Sequence, residues 1–148
     1  MKTNFLIGIA AAAAAAYYFL TGKKTAIENL IIKPIDIAIN TQKTNIMQLV
    51  FNLKLKITND SNFSVKVNGI DVDIIVNNNI IGDVQKNLPF VIAPKKTEIV
   101  TIELSVKNLS IVQTVINILT NKEKVTAGVQ GFVITDLGQV NFSYSANV

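Results

Sequence analysis

The sequence predicts a mainly β fold: a small antiparallel β-sandwich of about seven strands with one short helix, preceded by an N-terminal hydrophobic helix. Three observations lead there. Apolar residues recur with period two along most of the chain after Lys24, turn residues punctuate that pattern, and only one late segment shifts to helical spacing. The chain has 148 residues, the size of one compact domain plus a tail, divided as 1–24 for the hydrophobic helix and 25–148 for the sandwich. With 49% apolar and only 16% charged residues, it is not a chain held open by its own charge.

The opening run FLIGIAAAAAAAYYFL, Phe5 to Leu20, is uncharged and would extend roughly 24 Å as a helix. A bilayer core of about 30 Å normally takes near twenty apolar residues. Thr21, Gly22 and snorkelling lysines could extend the span, with Tyr17, Tyr18 and Phe19 as interfacial aromatics. Lys2 and the alanines also suit an export signal, but the bulky YYFL follows them, so an uncleaved anchor is favoured over a cleaved one. Lysines on both flanks leave the orientation unread. The third reading is an Ala-rich helix packed on neighbouring protein, since small side chains permit close approach.

After Lys24, IIKPIDIAIN places Ile31, Ile35, Ile37 and Ile39 on one face of a strand that Pro34 keeps at a sheet edge. LVFNLKLKITND then alternates, with Leu49, Phe51, Leu53, Leu55 and Ile57 inward and Asn52, Lys54 and Lys56 outward. In SVKVNGIDVDIIV the apolar parity changes between Val65/Val67 and Ile70/Val72/Ile74/Val76. A strand cannot change faces without an inserted residue, so a β-bulge is expected at Asn68-Gly69, with glycine supplying a permissive backbone.

Asn77-Asn78-Asn79 reads as a hairpin turn into Ile80-Ile81-Gly82. Pro94 opens a turn into a strand with Val100, Ile102, Leu104 and Val106 inward. Next, Leu109, Val112, Val115 or Ile116 and Leu119 recur at helical spacing behind capping candidates Asn108 and Ser110. VTAGVQGFVIT, the turn Asp136-Leu137-Gly138 and QVNFSYSANV, with Val140, Phe142, Tyr144, Ala146 and Val148 on one face, complete the sheets.

The turn Thr58-Asn59-Asp60-Ser61-Asn62, then Gly69-Ile70, Asn77 to Asn79, Ile81-Gly82, and Pro94 through Val106 follow one another in a characteristic order. Through these motifs residues 30 to 148 resemble the water stress and hypersensitive response (WHy) domain of the group 2 late embryogenesis abundant, desiccation-related proteins. Asp60 stands where that family usually carries proline. The resemblance implies a sandwich with no catalytic centre and, as in many members, a single N-terminal hydrophobic segment.

Composition narrows the chemistry independently. There is no cysteine, histidine or tryptophan, so thiol nucleophiles, disulfides, lipidated cysteines and imidazole bases or ligands are excluded. All fourteen basic residues behind the net charge of +4 are lysines scattered along the chain, unlike the arginine clusters of nucleic-acid binders. No glycine-rich phosphate cradle occurs. Asp71 and Asp73, with Asp60 and Asp83, are the calcium candidates; lacking a looped ligand spacing, they read as a solvated strand face. Ser110 and Ser143 lack a histidine partner, and Lys95-Lys96 lies on the proline loop.

No catalytic, cofactor-binding or metal-binding residue is assigned, and neither a cofactor, a nucleic acid nor a small-molecule substrate is expected. Val50 and Ile75 break the alternation and should be covered by a loop, a helix or a partner. The expected function is a non-catalytic protective or protein- and surface-binding module, meeting a membrane or neighbouring protein through residues 5–20. Its location is then membrane-anchored, side unknown. The alternative is a structural subunit of a virion, envelope complex or other large particle, with the N-terminal helix packed on protein.

Overall fold

The structure is a computed structural model and describes residues 26–148. The expected helix over residues 1–24, with its contacts through 5–20, lies outside the described residues. Within them the strands are β1 (Leu30–Ile39), β2 (Leu49–Asn59), β3 (Val65–Val76), β4 (Asn79–Ile92), β5 (Lys96–Val106), β6 (Thr126–Thr135) and β7 (Gly138–Asn147). Helix α1 (Leu109–Thr120) joins β5 to β6. All pairings are antiparallel, forming a three-stranded sheet ordered β1-β2-β5 and a four-stranded sheet ordered β4-β3-β6-β7.

β2 and β3 are the central walls of the core. Leu49, Phe51, Leu53, Leu55 and Ile57 are buried and face Val67, Ile70, Val72, Ile74 and Val76 of the other sheet. Each such side chain contributes roughly 1.5–3 kcal/mol of transfer free energy. The alternation of β2 therefore sets which face of the sheet is dry.

The bulge in β3 is where the parity change placed it: register shifts between Val67 and Gly69 against both β4 and β6. The glycine is needed for a different reason than expected. Its backbone is not left-handed; instead, a side-chain carbon there would strike the Lys86 carbonyl oxygen of β4. Asn77 and Asn78, with φ of 47° and 66°, make the two-residue hairpin loop between Val76 and Asn79.

β1 departs from expectation. Leu30 and Ile37 are buried and Ile32 and Ile39 pack on the core, while Ile31 and Ile35 are exposed. A second bulge, between Pro34 and Asp36, switches faces within the strand. Isoleucines occupy both parities of this segment, so its apolar pattern carries no trace of the switch. Pro34 does mark an edge, since β1 pairs only with β2.

β4 is far longer than Ile80-Ile81-Gly82. It is an edge strand of its sheet, mostly solvated and shifted in register against β3, and only its last stretch alternates, with Leu88, Phe90 and Ile92 turned toward the core. Pro89 and Leu88 fall in its bulge between Asn87 and Phe90, where a missing N–H costs no ladder bond.

In α1 the Asn108 side chain accepts from the Ile111 N–H at 3.4 Å, and Val112 and Val115 are buried. Leu109, expected inward, stands exposed at the first turn. On β7, Phe142 is buried, Val140, Tyr144 and Ala146 pack on the core, and Val148 is exposed. The sheets also meet along their edges: β1 runs beside β7, where the Tyr144 hydroxyl donates to the Ile35 carbonyl at 3.1 Å. That carbonyl belongs to the bulged residue, freed from the ladder by the bulge itself.

Candidate functional site

The residues singled out as calcium candidates separate. Asp60 lies at the end of β2, paired with Lys95 at 3.2 Å, while Asp71, Asp73 and Asp83 share the outer face of the four-stranded sheet. Asp73 stands directly opposite Asp83 across β3 and β4. Asp71 accepts from the Gln85 amide at 2.9 Å and Asp73 from the Gln130 amide at 3.4 Å. Among the described residues, no three acidic, histidine or cysteine side chains are disposed to hold a metal ion.

Crowding of like charge has one titration consequence. Desolvation, a hydrogen bond that protonated Asp83 donates to Asp71, and the charges of Asp71 and Asp73 push the Asp83 carboxyl above its ordinary 3.8. Gly128 lowers the floor of the same face beside Ile75. Two open depressions lie there, of about 430 and 510 Å³, lined chiefly by Asn78, Gln130, Asn141, Ser143 and Ser145. Phe132 and Phe142 are the aromatic residues lining the second. Ile75 sits half-buried beside Gly128, which answers its break in the alternation locally.

Val50 is also covered by this chain itself. The loop from Asn40 to Gln48 folds over it, with the Val50 N–H donating to the Thr44 hydroxyl at 3.0 Å and its carbonyl accepting from the Asn40 N–H at 2.8 Å. Ser110 hydrogen-bonds Asn108 at the helix cap. Lys95 has φ of 60° in the Pro94 turn and reaches the Asp60 carbonyl at 2.9 Å.

One residue of the quoted motif is structural in a way its position did not announce. Asn59 is fully buried at the end of β2. Its amide donates to the carbonyls of Phe63 at 2.7 Å, Ile92 at 3.1 Å and Ala93 at 3.3 Å. Its oxygen accepts from the Ser61 hydroxyl at 2.6 Å. The Asn-Asp-Ser-Asn turn thus ties β2 of one sheet to the strand end of the other.

An apolar groove of about 360 Å³ opens between α1 and the β3–β4 hairpin, walled by Val76, Ile81, Ile111, Val115 and Ile118 and rimmed by Asn77, Asn79, Ser110 and Thr114. The two outer sheet faces differ in charge. On the three-stranded sheet Lys33 pairs with Lys56, and Lys54 sits next along β2 opposite Asp36. On the four-stranded sheet the acids cluster instead. Among the described residues no helix is long and apolar enough to cross a membrane.

Solved structures share this architecture. A protein from Archaeoglobus fulgidus superposes with a TM-score of 0.55 at 14% identity, over 78% of this chain and 94% of its own. A protein from Arabidopsis thaliana gives 0.59 at 15% identity, over 80% and 81%. A third, described as a late embryogenesis abundant (LEA) protein, gives 0.51 at 10% identity, over 99% and 84%. At these identities the likeness is one of fold. No curated protein matches the sequence. The family model described as late embryogenesis abundant protein matches residues 54–146, from the middle of β2 nearly to the end of β7, and the chain belongs to that family.

Proposed function

We propose that this chain is a non-catalytic, WHy-type module of the late embryogenesis abundant family, held by its N-terminal hydrophobic segment and acting in protection or in binding proteins and surfaces. The observation that carries the reading is the family match over residues 54–146, laid on a sandwich whose motif residues are committed to structure. Asn59 closes the turn after β2, Gly69 admits the Lys86 carbonyl, and at Gly82 an added side-chain carbon would lie only 3.0 Å from a Val106 methyl. Asp60, in place of the usual proline, instead anchors the left-handed Lys95. The apolar run Phe5–Leu20 supports a membrane-anchored location.

Fractionation of cells making the full-length protein, with mass spectrometry of the mature N-terminus, tests the reading. The expected outcome is an intact residue 1–24 segment in the detergent-requiring fraction. A mature N-terminus beyond Ala16, or release by salt alone, would overturn the anchored form. Recovery only within a defined particle would replace it with an assembly subunit.

A further inference from the structure

We infer that the outer face of the β1-β2-β5 sheet is a docking face for the headgroup surface of an anionic bilayer. The lysines involved are distant in sequence, and pairing register brings them together. Lys33 of β1 stands opposite Lys56 of β2, which stands opposite Ile99 of β5, in one cross-strand row. Lys54 is two residues from Lys56 and so on the same face. All three lysines are exposed, and none has an ion pair among the described residues. The opposing acids are few: Asp36 lies across from Lys54, and Glu103 is already tied to Lys43 at 2.6 Å.

Two large aliphatic side chains stand among these charges. Ile99 is 60% exposed within the lysine row, and Ile31 is 54% exposed two residues before Lys33. Ammonium groups meeting phosphates while short aliphatic tips enter the headgroup layer is the pattern of interfacial binding surfaces. The acids Asp71, Asp73 and Asp83 lie on the opposite sheet, so an anionic plane would attract one face and repel the other, fixing orientation.

The inference rests on the anchored reading for proximity. Residues 21–29 separate the apolar run from β1, and they span at most about 30 Å, so a bilayer holding residues 5–20 would lie within reach of this face.

The test is site-resolved amine labelling of the full-length protein on vesicles of phosphatidylcholine alone and of phosphatidylcholine with phosphatidylserine. Labelling at Lys33, Lys54 and Lys56 should slow by about tenfold on the anionic vesicles and recover in high salt. Lys122 and Lys124, beyond α1, should label equally on both and act as internal controls. The double variant Lys54→Glu/Lys56→Glu should lose the lipid-dependent difference at Lys33. Equal labelling on both vesicle types overturns the inference, as does equal protection by a soluble polyanion without vesicles. The anchor is read separately, by flotation with neutral vesicles. If that fails, docking still appears as flotation that requires phosphatidylserine.

Discussion

Asn59 shows how a single polar side chain can hold two sheets in register. Fully buried, it gives its amide hydrogens to three carbonyls and takes the Ser61 hydroxyl, so no polar atom is left without a partner. Asn59→Ala would strand those groups in the dry interior. A loss of about 2–4 kcal/mol is expected in urea denaturation. Asn59→Asp should be worse at neutral pH, because a carboxylate would face carbonyl oxygens, and should recover as acid neutralises it. Asp83 works in the opposite sense, because its folded-state carboxyl titrates above the unfolded value. Desolvation, together with the neighbouring Asp71 and Asp73, therefore costs stability above the folded value, and the cost is relieved as pH falls through it. Asp83→Asn should raise the melting temperature at pH 7, and the advantage should vanish toward pH 3 in parallel thermal melts.

The two bulges explain what could be read in advance and what could not. In β3 the apolar residues occupy one parity before Asn68-Gly69 and the other after it, so an inserted residue was forced by period two alone. In β1, isoleucine fills positions 31, 32, 35, 37 and 39, and a slip between Pro34 and Asp36 leaves no mark on such a pattern. β4 escaped for a related reason: an outer strand with most residues solvated carries little hydrophobic signal. The lysine face was equally hidden, since Lys33 meets Lys56 only through pairing register. By contrast, the pairing of Asp71 and Asp73 on one face was legible from their spacing. The β1 bulge also carries a consequence at the sheet edge, because the carbonyl it frees takes the Tyr144 hydroxyl from the other sheet. Tyr144→Phe keeps the ring packing and removes that bond. A loss of about 0.5–1.5 kcal/mol is expected in chemical denaturation, with unchanged dependence on denaturant concentration.

Across the molecule, stability should be distributed unevenly. β2 and β3 are each flanked by two partners and carry most of the fully buried side chains. Helix α1 has twelve residues rich in β-branched side chains, buries only Val112 and Val115, and has neither an acidic first turn nor a basic last turn to complement its dipole. Among the described residues its hold on the sheets is therefore the weakest of the regular elements, and it forms one wall of the apolar groove over Val76 and Ile81. Native-state hydrogen exchange should show this ordering directly. Amides in the middle of β2 and β3 should exchange only through global unfolding, while those of α1 should exchange about a hundredfold faster or more through local opening. Shortening Val115 to Ala should widen the gap, because it removes one of the two buried anchors while leaving the sheets untouched. If α1 instead exchanges with the β2 core, the helix is part of the cooperative unit and the groove beneath it is a fixed feature of the fold. With the expected ordering, the groove widens whenever the helix lifts.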